Sequence, residues 1–368
     1  MTRIVFAGGG TGGHLYPGLA IARALVRARP SIEPFFVGAL RGIERDVLPK
    51  TEFQHLLLDL HPLYRSAVWK NAKTISSAVG AWRRIGDMVR KQRPAVVVGT
   101  GGYAAGVMLA YSVVHRIPIV QQAGDSVPGL TARVFSRWSH EIYLNFPEAA
   151  RHLTSHHPGS IIDTGAPIEP PPDLRPERRA ARDAWRFPST GGRVMLIYGG
   201  SQGSLAINRA VAEWIERGLP ENLYLIWGTG RATYSQFAAC ESDHVRVRDY
   251  LSPIADAYAA SDLALARAGA MTTAELFAWG IPAVLVPLPT AAADHQTTNA
   301  ATLERVGAAI HVPQSQLTVE RLDTTIRRLL ENPLELDRLA RGAAARARPH
   351  AADEIAQHIL ALVDRAGA

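Results

Sequence analysis

Glycine-rich turns that end beside a proton-transferring or hydroxyl side chain are the positions in this 368-residue chain with the clearest capacity for chemistry. The first turn spans residues 8–13 and is followed by His14. Glycine has no Cβ, so its backbone can approach a ligand closely, and a following helix offers N–H groups to an anion such as phosphate. Histidine is the side chain best suited to proton transfer near neutral pH. We therefore predict a ligand site in which His14 has a catalytic or substrate-contacting role; a histidine that only caps the turn is the alternative.

Two further turns have a similar composition, at residues 99–102 and 199–204. In the latter, the hydroxyls of Ser201 and Ser204 could donate to phosphate oxygens, although a turn without a ligand is the alternative. The first turn departs from the dinucleotide pattern Gly-x-Gly-x-x-Gly. The turn at residues 199–204 lacks the Gly-Lys-Ser/Thr ending of a P-loop, which argues against ATP hydrolysis.

A third group of polar residues follows the apolar run 263–266. Thr272 and Thr273 are expected near the start of a helix, with Glu275 in its first turn. A glutamate there ordinarily interacts with the helix dipole. At the carboxyl end of a strand, however, its two oxygens could accept hydrogen bonds from both hydroxyls of a ribose.

The fourth group contains Asp294, His295, Gln296 and Asn299. Amides and an imidazole offer donors and acceptors at fixed places, which suits the hydroxyls of a sugar. Asp294 and His295 could also be metal ligands, but further ligands at suitable spacing are missing from the sequence. We therefore expect no metal here.

The apolar runs before these turns predict the strands that position them. They are apolar on both faces, as buried parallel strands are, and helical patterns alternate with them. The predicted strands lie at residues 4–7, 34–37, 95–98, 117–120, 141–144, 194–198, 224–227, 263–266 and 283–286. This order predicts an α/β protein with two doubly wound, Rossmann-like lobes that face each other across a cleft, because ligands of such sheets bind at the carboxyl ends of the strands.

A proline-rich segment at residues 167–172 marks the predicted boundary between the lobes, because it cannot lie inside a helix. We expect an N-terminal domain at residues 1–165 and a C-terminal domain at residues 166–347. The stretch 334–368 has a helical pattern that Pro349 and His350 should interrupt. We expect its last part, about residues 348–368, to pack back on the N-terminal domain.

The charge balance favours an anionic partner, since 40 Lys and Arg against 33 Asp and Glu give a net charge of +7. Cys240 is the single cysteine, which excludes an intrachain disulfide or a cysteine-ligated zinc site.

The first residues lack a secretory signal and no stretch is long enough to span a bilayer, so we expect a cytoplasmic protein. The chain shows no aromatic and basic motif of the nucleic-acid-binding kind, and we expect no nucleic-acid partner.

One basic amphipathic segment, residues 72–93, bears on membrane contact. Its helical pattern predicts one face with Ile75, Val79, Trp82 and Val89, surrounded by lysines and arginines. Docking on an anionic membrane surface is one interpretation, and a packed surface helix with a solvated basic side is the other.

Seven stretches together resemble the MurG family, the inverting GT-B glycosyltransferases that use UDP-N-acetylglucosamine. In chain order they are GGGTGGHLYPGLAIARAL, the weaker GALRGIERDVLP, VVGTGGYAAG, GLTARVF, YGGSQGSLAIN, ARAGAMTTAELFAWGIPAVLVPLP and HQTTNA. The combination is specific, whereas one loop alone would not be. The resemblance implies transfer of N-acetylglucosamine to a lipid-linked muramyl pentapeptide (lipid I), giving lipid II, by a peripheral enzyme on the cytoplasmic face of the cell membrane. UDP-N-acetylglucosamine is then a substrate, and neither a cofactor nor a metal is implied.

The resemblance also implies roles for individual residues. His14 is the candidate general base, among acceptor-side residues that comprise Thr11, Gly12, Gly13, His14, Gly101, Gly102 and Tyr103. On the donor side, the family pattern assigns the diphosphate to residues 201–203, uracil to the backbone at 250–251, the ribose to Glu275 and the sugar to residues 295–296. The implied donor-side residues are Ser201, Gln202, Gly203, Tyr250, Leu251, Ala270, Met271, Thr272, Glu275, His295, Gln296 and Asn299.

Some positions depart from the family pattern. Residues 122–125 read Gln-Ala-Gly-Asp where the family has His-Glu-Gln-Asn, so Asp125 replaces an asparagine that addresses the donor sugar and Ala123 replaces a carboxylate. Glu169 and Ala268 stand where an arginine and a serine are usual. A transferase with another acceptor and a catalytically silent UDP-sugar binder are therefore alternatives. The turn at residues 8–14 and the HQTTNA stretch argue against a third alternative, a UDP-sugar 2-epimerase.

Overall fold

The computed structural model describes the backbone of residues 2–61, 71–200 and 202–367, and the side chains of residues 2–61, 77–200 and 202–365. The chain divides into two compact units. The first unit comprises Met1–Glu169 and Arg348–Ala368, and the second comprises Pro170–Ala347. In the predicted membrane segment, the side chains of residues 72–76 lie outside the described residues. Ser201 also lies outside them.

The first unit is built on a parallel sheet with the strand order β3-β2-β1-β4-β5-β6-β7. Its strands are β1 (Thr2–Gly8), β2 (Ile32–Ala39), β3 (Gln54–Leu58), β4 (Val96–Gly101), β5 (Ile119–Ala123), β6 (Glu141–Leu144) and β7 (Ile161–Asp163). Strands β2 and β3 follow β1 in order on one side, and the next strand, β4, pairs with the other side of β1. The carboxyl ends of β1 and β4 therefore form a topological switch point, where open parallel sheets bind ligands.

Helices cover both faces of this sheet. They are α1 (Gly12–Ala28), α2 (Glu44–Val47), α3 (Asn71–Gln92), α4 (Tyr103–Val114), α5 (Leu130–Phe135) and α14 (Ala351–Gly367), with short 3-10 turns at Leu48–Lys50, Ser136–Trp138 and Pro147–His152. On one face α1 packs against α14, and residues such as Leu25, Ile355 and Ile359 are completely buried between them and the sheet. On the other face α3 and α4 bury Ile85 and Met108 against the sheet.

The second unit repeats the arrangement with the strand order β10-β9-β8-β11-β12-β13. Its strands are β8 (Arg193–Tyr198), β9 (Leu223–Gly228), β10 (Val245–Arg248), β11 (Leu263–Ala266), β12 (Ala283–Leu285) and β13 (Ala309–His311). Here the switch point lies between β8 and β11. The helices are α6 (Arg178–Ala184), α7 (Leu205–Arg217), α8 (Tyr234–Phe237), α9 (Ala255–Ala260), α10 (Ala270–Ala278), α11 (His295–Arg305), α12 (Val319–Glu331) and α13 (Pro333–Arg346), with 3-10 turns at Ala238–Cys240, Ala292–Asp294 and Gln314–Gln316.

A buried ion cluster joins the first helix of the second unit to its sheet. Asp262, just before β11, accepts hydrogen bonds from Arg182 at 2.8 Å and from Arg193 at 2.9 Å, and it also pairs with Arg178. The same carboxylate accepts from the backbone N–H of Val194 at 2.8 Å. Because a buried carboxylate needs such partners, the cluster fixes α6 against the start of β8.

The predicted α/β class is confirmed, and each predicted strand overlaps a strand of the structure. The predicted break near Pro349 and His350 is also confirmed, since α13 ends at Arg346 and α14 begins at Ala351.

The predicted start of the first helix is wrong. The pattern placed it at Pro17, whereas α1 begins at Gly12 and contains Pro17 as its sixth residue. Proline lacks an N–H, and the carbonyl that it leaves without an intrahelical donor is that of Gly13, close to the helix start. His14 consequently lies in the first turn of α1 rather than on the preceding loop.

The predicted apolar face of α3 is right for Trp82 and Val89, which pack against the buried cluster, and wrong for Val79. The described part of this helix buries Ala81, Ile85 and Met88, which recur at helical spacing, while Val79 is exposed and Ile75 lies outside the described side chains. The buried stripe packs on the sheet, so Val79 faces away from the core. In the part of the chain that the structure describes, none of the helices combines the length and hydropathy needed to cross a bilayer.

Candidate active site

Two glycine turns meet at the switch point of the first unit. The backbone N–H of Gly9, after β1, donates to the carbonyl of Gly101, at the end of β4, at 3.3 Å. Gly102 has φ +76°, and a Cβ there would overlap the carbonyl of Gly9. The close approach of the two turns therefore depends on glycine at this position. The hydroxyl of Thr131 donates to the Gly102 carbonyl at 3.1 Å and fixes the second turn from α5.

His14 is held between these turns. Its Nδ1 lies 3.2 Å from the carbonyl oxygen of Gly9 and 3.1 Å from the hydroxyl of Thr11. The other edge of the ring packs on Gly101, where a Cβ would lie 2.8 Å from its Cδ2. A carbonyl oxygen only accepts hydrogen bonds, so the contact with Gly9 favours the tautomer with the proton on Nδ1. The lone pair then lies on Nε2, which makes this nitrogen the basic atom.

The remaining acceptor-side residues of the prediction lie at the same edge of the sheet. Gly12 and Gly13 form the first residues of α1, and Tyr103 begins α4 with its ring beside Gly10. Asp125 is on the loop after β5, the neighbour of β4. The structure thus brings Asp125 to the edge that carries His14, within the first unit.

A buried glutamate, missed in the sequence, supports the first turn. Glu44, the first residue of α2, is completely buried, and its Oε1 accepts a hydrogen bond from the N–H of Gly10 at 2.7 Å. The weakly matched stretch GALRGIERDVLP contains a signal for Glu44, because this charged residue comes two positions after Gly42. Its distance in sequence from Gly10 nevertheless conceals the contact.

The second unit has its own glycine turn at the switch point, between β8 and α7. Gly203 has φ +74°, and a Cβ there would overlap the carbonyl of Thr229, after β9. Gln202 is exposed, and Ser201 lies outside the described residues. The interpretation of Ser204 as a phosphate donor is not favoured, because it is buried and its Oγ accepts from the N–H of Ile207 at 3.3 Å, as the cap of α7.

Glu275 belongs to a hydrogen-bonded cluster on the other side of this switch point. Its Oε2 accepts from the hydroxyl of Tyr258 at 2.9 Å, and that hydroxyl lies 3.2 Å from the hydroxyl of Tyr198, at the end of β8. Tyr198 also hydrogen-bonds with Thr272. Burial, and then the nearby Glu275 charge, raises the pKa of Tyr198. Burial, and then the interactions with Tyr198 and with the Glu275 charge, raises the pKa of Tyr258. Both phenols stay protonated, and Tyr258 therefore orients the carboxylate as a donor.

The predicted position of Glu275 in the first helical turn is wrong. The helix α10 begins at Ala270, so Glu275 is its sixth residue, one and a half turns from the N-terminus. A dipole interaction falls off within the first turn and does not account for this residue. Its half-buried carboxylate, close to Thr272 and to the end of β8, fits a ligand contact better.

Two buried side chains, Arg267 and Asn299, brace the start of α10. Arg267 donates to the carbonyls of Val286 at 3.1 Å and Pro287 at 2.8 Å, which holds the loop after β12. Burial lowers the pKa of Arg267 to about 10, so it remains charged at neutral pH. Asn299, which is completely buried, donates to the carbonyl of Ala268 at 3.4 Å.

The loop after β12 brings the predicted sugar-binding residues to the same edge. Gln296 accepts from the backbone N–H of Leu288 at 3.0 Å, and Nδ1 of His295 lies 2.7 Å from the carbonyl of Ala292. Both side chains are half-buried at the start of α11. The contact of His295 with a carbonyl again favours the Nδ1–H tautomer and leaves Nε2 as an acceptor for a hydroxyl.

The predicted uracil-binding residues follow β10, at the far side of β9 from β8. Leu251 is buried against Gly228, and Tyr250 is 47% exposed with the guanidinium of Arg231 over its ring at 5.2 Å. The structure therefore places Tyr250 and Leu251 at the sheet edge that carries Gly203 and Glu275, since the strands are parallel. Ala270 and Met271 are the first residues of α10, which follows β11 at the same edge of the sheet.

Comparison with known proteins decides the family. The N-terminal domain of glycosyltransferase family 28 matches residues 4–144, and its C-terminal domain matches residues 194–355. A curated relative from Salinibacter ruber is 38% identical over 369 residues, which cover 98% of this chain and 97% of the relative. The chain belongs to glycosyltransferase family 28. The resemblance to the MurG family is thereby confirmed.

The relatives have a consistent description. The Salinibacter ruber protein and one from Moorella thermoacetica, 36% identical over 98% of this chain and 99% of its own, are both named UDP-N-acetylglucosamine–N-acetylmuramyl-(pentapeptide) pyrophosphoryl-undecaprenol N-acetylglucosamine transferase. The crystal structure of Acinetobacter baumannii MurG matches with a TM-score of 0.75 at 26% identity, over 98% of this family 28 chain and 99% of that chain. A UDP-N-acetylglucosamine 2-epimerase, with a TM-score of 0.62 and 12% identity over 98% of this chain and 96% of its own, shares the fold alone.

Proposed function

We propose that this family 28 chain transfers N-acetylglucosamine from UDP-N-acetylglucosamine to a lipid-linked muramyl pentapeptide, which is the step that forms lipid II for peptidoglycan. The observation that carries the proposal is full-length similarity, at 38% and 36% identity, to two relatives named for this reaction. The positions of His14 and Glu275, each at the switch point of its own unit, support it.

In the proposed reaction, the first unit supplies the base. With the proton on Nδ1, Nε2 of His14 accepts the proton of the acceptor hydroxyl as its oxygen attacks the anomeric carbon. One displacement from the face opposite the leaving group inverts the configuration at that carbon. The glycine turns at residues 8–13 and 101–102 leave room for the acceptor beside the imidazole.

The second unit holds the donor and its leaving group. Negative charge develops on the diphosphate as UDP departs, and the N–H groups near Gly203 and the start of α7 stabilise it. Glu275 accepts hydrogen bonds from the ribose hydroxyls, and Gln296 and His295 contact the sugar. No cofactor is part of the proposal.

A direct assay tests this function. Purified protein is incubated with UDP-N-acetylglucosamine and a short-chain lipid I analogue, and UDP release and the mass of the lipid product are both measured. We expect UDP release together with a product heavier by one N-acetylglucosamine. UDP binding without release in the presence of any acceptor would instead identify a silent nucleotide-sugar binder.

A related transferase with a different acceptor is the second candidate function. Asp125 favours it, because it lies at the sheet edge that carries His14, and there its carboxylate cannot donate the hydrogen bond that an asparagine would. Parallel reactions with other hydroxyl-bearing lipids and small molecules distinguish the two functions. UDP release with one of these and none with the lipid I analogue would select the second candidate.

We further propose that the first unit docks peripherally on an anionic membrane at the outer side of α3, α4 and α5, which we call the docking face. All three helices pack on one face of the sheet, so their exposed sides share a direction. This side exposes apolar and cationic residues together: Val79, Arg83, Arg84, Val114, Arg116, Leu130, Arg133, Val134, Arg137 and Trp138. Apolar side chains enter the interface while the cations attract anionic headgroups, and the cytoplasmic leaflet carries such lipids.

Neutralising two of these cations should weaken membrane binding. Each cation near an anionic surface contributes about 1 kcal/mol, so Arg133→Gln with Arg137→Gln should lower the partition coefficient roughly 30-fold. Co-sedimentation with vesicles of phosphatidylcholine and phosphatidylglycerol measures it. The matched control is Arg338→Gln with Arg341→Gln, which removes the same charge from exposed positions on α13 in the second unit. Equal losses for both pairs would show that net charge, and not the docking face, attracts the membrane.

A further inference from the structure

The buried carboxylate of Glu44 has no part in the reaction described above. Its Oε1 accepts from the N–H of Gly10 at 2.7 Å and from that of Ala39 at 3.4 Å. Its Oε2 is buried, and none of the residues that the structure describes forms a hydrogen bond with it. Burying a charged oxygen in this way costs more free energy than burying a neutral amide of the same shape. Stability therefore gives no reason for a carboxylate in preference to glutamine at this position.

Three glycines enclose this side chain and keep it in one place. A Cβ at Gly9, Gly38 or Gly42 would overlap atoms of Glu44. The carboxylate thus fits a space that only glycines at these positions provide. Because the turn and the carboxylate are packed together, the contact with Gly10 is a fixed feature of the site.

A single peptide group connects Glu44 with His14. The N–H of this group belongs to Gly10 and donates to Glu44, while its C=O belongs to Gly9 and faces Nδ1 of His14 at 3.2 Å. A peptide that donates to a carboxylate carries more negative charge on its own oxygen, because hydrogen bonds in a chain polarise one another. The charge of Glu44 therefore strengthens the acceptor that holds the imidazole.

We propose that Glu44 is a positioning residue for the general base and acts through the Gly9–Gly10 peptide. It favours the Nδ1–H tautomer of His14 over the one in which the hydroxyl of Thr11 donates to Nδ1, and so keeps the lone pair on Nε2. When the acceptor O–H bond breaks, the proton goes to Nε2, the acceptor oxygen bonds to the anomeric carbon, and UDP leaves with the electron pair of its bond. The imidazolium that results is stabilised by the polarised Gly9 carbonyl. This inference rests on the proposed function, in which His14 is the base.

Glu44→Gln is the informative variant, because its amide oxygen can still accept from Gly10 while the charge is lost. We expect kcat to fall about tenfold, as for other residues that orient a catalytic group indirectly, with KM for UDP-N-acetylglucosamine unchanged within about twofold. The melting temperature should not fall, since the amide removes a buried charge. The matched control is Asp46→Asn, which removes the same charge from an exposed position on the same short helix and should leave kcat unchanged.

The tautomer of His14 can be measured directly, and it would not change if Glu44 had a purely structural role. In long-range ¹H–¹⁵N spectra, with the His14 signals assigned by their loss in His14→Ala, Glu44→Gln should shift His14 away from the Nδ1–H form, and Asp46→Asn should not. A Glu44→Gln enzyme with the kcat and His14 spectrum of the wild type would overturn the proposal. So would a loss of kcat that merely follows a loss of folded protein. If His14→Ala itself retains full activity, the proposed function of His14 fails instead, which separates the two outcomes.

Discussion

Replacing His14 by alanine should lower kcat by about a thousandfold while the affinity for UDP-N-acetylglucosamine stays within about twofold of the wild type. General bases contribute about 10²- to 10⁴-fold to rate, and an alanine side chain cannot accept the proton of the acceptor hydroxyl. His14 lies in the first unit, whereas the proposed donor contacts lie in the second, so donor binding should be spared. Steady-state kinetics with a lipid I analogue and calorimetry with UDP-N-acetylglucosamine measure the two quantities.

A second substitution separates loss of the base from disruption of the turn. In His14→Asn the side-chain amide can still donate to the Gly9 carbonyl, as Nδ1 does in the wild type, but it cannot accept the proton. We expect the same thousandfold loss as with alanine. His156→Ala, at an exposed position of the first unit, should have normal kinetics. Substantial turnover by His14→Asn would refute the assignment of the base.

The central strands could be predicted from the sequence, and the edge strands could not. Within the described part of the chain, the pattern missed four strands, β3, β7, β10 and β13, and each lies at an edge of its sheet. Central parallel strands are covered by helices on both faces and therefore appear as continuous apolar runs, such as residues 194–198. An edge strand such as Val245–Arg248 alternates apolar and charged residues over only four positions, a signal too short to distinguish from a loop.

In the candidate site, too, residues that are adjacent in sequence could be predicted, whereas partners from distant parts of the sequence could not. The glycine turns and His14 could be found because a strand, a turn and a helix start are adjacent in sequence. Their partners could not be found in this way, because each belongs to another element. Glu44 is 34 residues from Gly10, and Tyr258 is 17 residues from Glu275. Sequence patterns locate the backbone that approaches a ligand, whereas the buried groups that orient His14 and Glu275 depend on the packing of the whole unit.

Replacing Glu275 by alanine should weaken the binding of UDP by about 10- to 100-fold, because hydrogen bonds to a charged group contribute about 1.5–3 kcal/mol. Glu275→Gln should cost about tenfold, since its amide keeps one acceptor for the Tyr258 hydroxyl or the ribose but loses the second. Isothermal titration calorimetry with UDP measures these affinities. Glu331→Ala, on the exposed side of α12, is the matched control and should bind as the wild type does.

The ribose contact itself can be tested by changing the ligand together with the protein. Wild-type enzyme should bind UDP more tightly than 2′-deoxy-UDP, because the deoxy ligand lacks one of the two hydroxyls that donate to the half-buried Glu275 carboxylate. Glu275→Ala should bind the two ligands with nearly equal affinity, since the partner of the 2′-hydroxyl is already absent. The two changes should therefore be non-additive, as expected for groups in direct contact. If the alanine variant still discriminates against the deoxy ligand as strongly as the wild type, another residue binds the ribose, and Glu275 serves only to anchor Tyr258 and Tyr198 at the end of β8.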